Sequence, residues 1–325
     1  MENSAKVIED FAKKMIHNLE LVIVGKTQTV ELVVISLLCQ GHILIDDVPG
    51  VGKTVLARSL AKSMGCNFSR IQFTPDLLPS DVTGVSIFNQ VTREFEFRPG
   101  PIMAQIILAD EINRATPKTQ SAMLEAMEEH QVTVDGATYL LPRPFMVMGT
   151  QNPIEYEGTF PLPEAQLDRF FMRIRIGYPT LMDEIKVLES QQIQHPIVNL
   201  KPVTSAEQLL EVQELVKTIY VSPAVKRYIV EIVRATRENS DVYLGASSRG
   251  SLGLFRAGQA LAAVQGRDFV LPDDIKYLSE FVLAHRMVVQ PSARLRNLTA
   301  GQIVREIVAT LPVPGGDLRV KQEGG

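Results

Sequence analysis

An α/β domain built on a parallel sheet, followed by an all-helical domain, is what this sequence predicts, on three observations. Brief apolar runs with β-branched residues alternate with helical patterns through the first half, as strands buried on both faces of a parallel sheet require. The first of these runs leads into a loop containing Gly50, Gly52 and Lys53 and then into an apolar helix. Past Tyr178-Pro179 the strand-like runs give way to helical periodicity. Residues 1–178 are therefore expected to form an N-terminal helix plus the α/β core, and residues 179–325 a helical domain with a polar tail.

In chain order, residues 4–21 read as an amphipathic helix and residues 30–39 as a largely apolar one ending before Gly41. Buried strands are expected at 42–45, 105–109, 145–149 and 171–176. Two stretches between them read as β-hairpins. Residues 84–101 alternate apolar and polar around Thr92-Arg93, and residues 131–142 carry Asp135-Gly136 between β-prone flanks. The clearest helices of the second half are 207–219, 223–238, 248–265 and 273–285. The halves meet at 177–180, residues 191–202 read as a loop, and a polar, glycine-ended tail follows Pro314.

The chain has 325 residues, 45% hydrophobic and 22% charged, enough for a sizeable core. Lys plus Arg number 33 against 37 Asp plus Glu, so no overall positive charge advertises nucleic-acid binding. Cys39 and Cys66 lack redox or metal spacing and read as buried thiols of a reducing cytoplasm. The five histidines have no partners at zinc spacing, and neither a signal segment nor a membrane span is recognisable. A soluble cytoplasmic protein is expected.

The chemistry is concentrated in a few words. Asp46-Asp47-Val48-Pro49-Gly50-Val51-Gly52-Lys53-Thr54 follows a strand and opens a helix, the context of a phosphate-binding loop. Gly50 and Gly52 let main-chain amides turn towards phosphate oxygens, Lys53 neutralises the β and γ phosphates, and Thr54 offers a hydroxyl to Mg²⁺. Asp47 stands where the strict pattern has glycine. Downstream, Ile106-Ile107-Leu108-Ala109-Asp110-Glu111 ends an apolar strand in two carboxylates, as a Walker B motif does. Asp110 is expected to hold Mg²⁺ through water and Glu111 to act as general base on the attacking water. A third strand ends in Thr150-Gln151-Asn152-Pro153, where Asn152 reads either as a turn former or as a group for the attacking water.

Together with Asp110-Glu111-Ile112-Asn113-Arg114-Ala115 and Leu162-Pro163-Glu164-Ala165-Gln166-Leu167-Asp168-Arg169-Phe170, these words resemble the MoxR family of AAA+ ATPases over most of the chain. The resemblance implies an AAA+ P-loop domain with β-hairpin inserts and a helical lid, binding ATP with Mg²⁺. It places Pro49, Val51 and Val55 beside the phosphates with the loop residues, and Val24-Gly25 near adenine. By the same resemblance Asn152 is sensor 1, and Arg249 in Ser247-Ser248-Arg249 is sensor 2, contacting nucleotide from the lid; the family usually has proline where Ser248 stands. Arg169 is the implied arginine finger acting on a neighbouring subunit's ATP, with Arg114 and Arg173 as competitors and an ion pair as its ordinary alternative.

A ring of six subunits, a client protein remodelled by ATP hydrolysis and a partner carrying a von Willebrand factor A domain are further implications of the resemblance. Two rival expectations stand beside it: a nucleotide-dependent switch or scaffold, and a DNA-associated motor. The intact Glu111 speaks against the first and the acidic balance against the second.

Overall fold

The computed structural model describes residues 2–152 and 159–314. Pro153, Gly158 and the tail after Pro314 lie outside them. The amphipathic helix α1 (Glu2–Glu20) and the apolar α2 (Thr27–Leu38) precede strand β1 (Ile43–Asp46), and α3 (Lys53–Ser63) starts at the lysine of the phosphate loop. Next come β2 (Phe68–Gln72), a short α4 (Pro79–Thr83) and the first hairpin, β3 (Gly84–Asn89) with β4 (Glu94–Pro99). Strand β5 (Ile106–Asp110) and α5 (Pro117–Glu129) lead to the second hairpin, β6 (Gln131–Val134) with β7 (Ala137–Leu140), which turns at Asp135-Gly136. Strand β8 (Met146–Gln151), the single-turn α6 (Glu164–Leu167) and β9 (Met172–Ile174) complete the α/β part.

The central sheet is parallel in the order β2-β5-β8-β1-β9. Its inner strands β5, β8 and β1 are apolar on both faces because both faces are covered. Along β1, Ile43 and Ile45 join one core and Leu44 the other; in β5, Ile106 and Leu108 oppose Ile107 and Ala109. The core on the Leu44 side holds Met123, Leu124 and Met127 of α5. The other is continuous from the sheet through α1, α2 and α3 into the second half of the chain.

That second half contains α7 (Leu181–Ser190), α8 (Ala206–Val216), α9 (Pro223–Glu238), α10 (Ser248–Val264), α11 (Pro272–Leu283), a short α12 (Pro291–Leu295) and α13 (Ala300–Thr310). Polar residues start the helices: the side chains of Ser205, Ser222, Ser247 and Thr299 accept main-chain N–H groups of their own first turns. The domain is not purely helical. Two brief strands, β10 (Val242–Leu244) and β11 (Val288–Val289), pair antiparallel beside α9.

Two elements escape a reading by pattern. Strand β2 is an edge strand with only Ile71 buried, so the apolar run that marks an inner strand is missing. Helix α7 has no buried residue at all. No helix among the described residues is long and apolar enough to cross a membrane.

Candidate active site

Strands β1, β5 and β8 lie side by side and end at the same level, with Asp46 opposite Gln151 and Ala109 opposite Gly149. Parallel pairing therefore delivers the phosphate loop, the Asp110-Glu111 pair and Asn152 to one end of the sheet, at the C-terminal ends of the inner strands. They line a cavity of about 350 Å³ with Pro49, Gly50, Gly52, Lys53, Thr54 and Val55 on one wall and Asp110, Glu111 and Asn152 on the other. Val51 sits behind the loop, packed against the sheet core.

Gly50 and Gly52 adopt left-handed backbone angles, with φ of +87° and +92°, and a Cβ at either would meet nothing within 4 Å. An open, amide-lined cradle of this kind fits a phosphate chain. Lys53 is buried and donates to the Asp47 carbonyl at 2.5 Å. Burial draws its ammonium below the ordinary lysine range, opposed by Asp110, Asp47, Asp46 and Glu111. Thr54 and Asp110 supply the oxygen donors that suit Mg²⁺.

The two carboxylates are held firmly. Thr150 donates to Asp110 Oδ1 at 2.6 Å and accepts the Glu111 N–H at 2.8 Å. Arg70 Nη2 donates to Asp110 Oδ2 at 2.7 Å, and Gln72 Nε2 to Glu111 Oε2 at 2.9 Å. Glu111 itself takes a left-handed conformation, φ +56°, which is unfavourable for a residue with a Cβ and recurs at functional sites. Arg70, Gln72 and Thr150 were not legible as site residues. The first two ride on the unrecognised edge strand, and a threonine inside an apolar run carries no signal of its own.

Asp47, the departure from the usual loop pattern, has a structural task. Its buried carboxylate accepts the N–H groups of Val48 at 2.9 Å, Ile176 at 2.7 Å and Gly177 at 2.6 Å. The loop thus grips the connection into the second half. Val24 and Gly25 lie beyond that connection: Gly25 packs against the Asp183 side chain, and Lys26 donates to the Tyr178 carbonyl at 2.7 Å. They stand outside the lining of the phosphate cavity.

Neither Arg169 nor Arg249 reaches that cavity. Both pair with Glu128 near the end of α5, Arg169 Nε at 2.9 Å and Arg249 through Nη2. They line a second cavity with Gly41 and His42, just ahead of β1. The phosphate loop begins just after β1, so the two places are separated by a strand, roughly 16 Å at about 3.3 Å per residue. Within one subunit α10 therefore carries Arg249 at the opposite end of the sheet from the phosphate cavity. The competitors lie elsewhere. Arg114 pairs with Glu111 at 3.2 Å and Arg173 with Asp46, both beside their own phosphate cavity.

A parallel sheet carrying a phosphate loop, paired carboxylates and a polar residue at the next strand end, joined to a helical lid, defines a P-loop ATPase of the AAA+ class. Residues 42–172 match the family model described as ATPase family associated with various cellular activities, and residues 234–307 match an AAA lid domain. The chain is 56% identical over 301 residues to the uncharacterized protein YeaC of Bacillus subtilis, covering 93% of this chain and 94% of that one. It is 41% identical over 311 residues to chaperone MoxR1 of Mycobacterium tuberculosis, covering 93% and 82%. The crystal structure of a candidate ATPase from Cytophaga hutchinsonii superposes with a TM-score of 0.89 at 38% identity, covering 96% and 97%. The chain belongs to the MoxR family of AAA+ ATPases.

Proposed function

We propose that the chain is an ATP-hydrolysing remodeller of partner proteins whose active sites are completed between subunits. The observation that carries this reading is the separation described above. Lys53, Thr54, Asp110, Glu111 and Asn152 converge on one face, while Arg169 and Arg249 share Glu128 on another. A phosphate loop and the arginines that would complete it cannot meet within one copy, but they meet when copies pack head to tail, as in a closed ring.

In this reading the loop amides and Lys53 hold the β and γ phosphates, Thr54 and Asp110 hold Mg²⁺, and Val24 and Gly25 lie towards adenine. Bound Mg²⁺ supplies charge neutralisation at the phosphates. Glu111 accepts the proton of the attacking water, and Asn152 orients that water. Arg169 of the next subunit stabilises charge on the γ phosphate in the transition state, with Arg249 as second cation on the same carboxylate-sharing face. Residues 1–178 act as the ATPase core and residues 179–325 as the lid, hinged at 177–180 where Asp47 grips the chain.

Six subunits, a cytoplasmic setting and a client presented with a von Willebrand factor A domain partner extend the same proposal, on the strength of the family. The first hairpin is its candidate contact: Phe88 and Phe95 are exposed and meet edge to face at 5.4 Å, with Val91 at the tip. A client or partner of this type is to be sought by pull-down with ATP and Glu111→Gln; recovery of none would remove the partner from the proposal.

The decisive experiment follows ATP turnover per subunit against protein concentration, with oligomer size measured in the same samples. Turnover should rise as the oligomer forms, Glu111→Gln should assemble without hydrolysing, and Arg169→Ala should assemble with turnover lowered by about 10³-fold or more. Flat turnover per subunit, or full activity in Arg169→Ala, refutes the shared site. If Glu111→Gln releases client as well as the wild type, the protein is a binding switch instead.

A further inference from the structure

The loop that carries Arg169 is held by one residue of the second half. Arg286 lies in the short turn after α11, almost wholly buried, and every N–H of its guanidinium has an acceptor. Nε donates to Asp168 Oδ1 at 2.7 Å. Nη1 donates to the carbonyls of Phe171, at 3.1 Å, and Val282. Nη2 donates to the carbonyls of Phe170 at 2.7 Å and Asp168 at 3.4 Å. Apart from Val282, all of these acceptors belong to the stretch from Asp168 to Phe171.

Neighbours reinforce the grip. His285 Nε2 donates to the Phe170 carbonyl at 2.9 Å, and Ser247 Oγ donates to Asp168 Oδ2 at 3.2 Å. From the core side, Phe170 is fully buried against Gly149, and the Phe171 N–H donates to the His42 carbonyl at 2.7 Å. Arg169, fixed on both flanks, extends its own side chain to Glu128.

Burying a guanidinium is costly, and an apolar side chain of similar volume would join two packed halves at least as well. A planar fork that satisfies main-chain carbonyls on both sides of Arg169 does something an apolar contact cannot: it fixes the path of the loop. We infer that Arg286 is the positioning residue of Arg169, so that the docking of the lid sets the geometry of the arginine serving the neighbour's active site. The inference rests on the reading of Arg169 as a group that acts on the adjacent subunit. Its consequence is a direction of coupling: displacement of one subunit's lid is felt as lost transition-state stabilisation in the next subunit's site, where an error of about 1 Å costs on the order of 10²-fold in rate.

The test uses mixed assemblies of the full chain. Arg286→Lys, which offers donors from a single point, and Arg286→Met, which offers none, should each lower kcat by about tenfold or more with affinity for a fluorescent ADP analogue unchanged. Mixing either with Glu111→Gln, inert in hydrolysis but carrying an intact Arg286 and Arg169, should restore turnover well above the sum of the two alone. Arg169→Ala mixed with Glu111→Gln is the reference and should recover in the same way. If the reference recovers and the Arg286 mixtures do not, or if Arg286→Lys loses nucleotide affinity or keeps wild-type kcat, Arg286 is only a structural link and the inference is wrong. If the reference itself fails to recover, the neighbour-serving reading of Arg169 falls and takes the inference with it. Arg286→Lys keeps the test decisive should Arg286→Met not fold.

Discussion

The hydroxyl of Thr150 accepts the main-chain N–H of Glu111 at 2.8 Å while donating to Asp110 Oδ1 at 2.6 Å. A single buried side chain on β8 thus holds the left-handed turn that follows β5, and with it both carboxylates of the candidate site.

Thr150→Val keeps the shape and removes both bonds. Leaving a buried N–H and a misaligned carboxylate should cost about 1–3 kcal/mol of stability. Turnover should fall roughly 10–100-fold, the usual scale for groups that orient a metal-binding carboxylate. Denaturant unfolding and steady-state ATP hydrolysis measure the two effects, and a variant with wild-type turnover would show that the Thr150 bonds are incidental.

Asp47→Gly restores the glycine of the usual phosphate loop yet removes the acceptor of the Val48, Ile176 and Gly177 N–H groups. Stability should drop by about 2–3 kcal/mol, while nucleotide affinity is largely kept because the Lys53 contact is made to the Asp47 carbonyl and not to its side chain. Equal stability of the variant in a urea titration would contradict this account of why aspartate stands there.

Glu128→Gln frees Arg169 and Arg249 from their shared carboxylate. The pair is partly exposed, so stability should change by less than about 1 kcal/mol. On the proposed shared site Glu128 competes with a neighbour's phosphates for the same cations, so half-maximal turnover should be reached at a lower protein concentration. An unchanged or higher midpoint would mean that Glu128 aligns the arginines instead of restraining them.

Acid should destabilise the fold through its buried imidazoles. The Val147 N–H donates to His42 Nδ1 at 3.0 Å, so Nε2 must carry the proton facing the Met127 carbonyl at 3.1 Å. Burial pushes the His42 pKa down to about 4 from 6.5, and burial, followed by Arg286, pushes His285 in the same direction. The unfolded chain therefore binds protons below pH 6.5 that the folded chain refuses. Stability from His42 is complete above pH 6.5 and lost as the pH falls to about 4, amounting to roughly 3 kcal/mol. Unfolding midpoints measured across pH 4 to 7 should show this slope, and His42→Gln should flatten it; an unaltered slope would assign the acid sensitivity to other groups.

The inner strands and the phosphate loop were legible because each is a local fact. Burial on both faces writes an unbroken apolar run into β1, β5 and β8, and phosphate binding demands Gly50, Gly52, Lys53 and Thr54 as consecutive or nearly consecutive residues. The hairpins were legible for the same reason, since Asp135-Gly136 states its own turn. Local pattern could not supply β2, whose exposed edge leaves no apolar signature, nor the hydrogen bonds of Arg70, Gln72 and Thr150, which join residues dozens of positions apart. Tertiary structure alone decided that Arg169 and Arg249 stand together on Glu128 at the far end of the sheet from Lys53, and that Arg286 clamps the loop that carries Arg169. Sequence fixes which chemical groups a chain carries; which of them meet depends on how strand order and the docking of the helical half bring distant segments to one end of the sheet or keep them a strand's length apart.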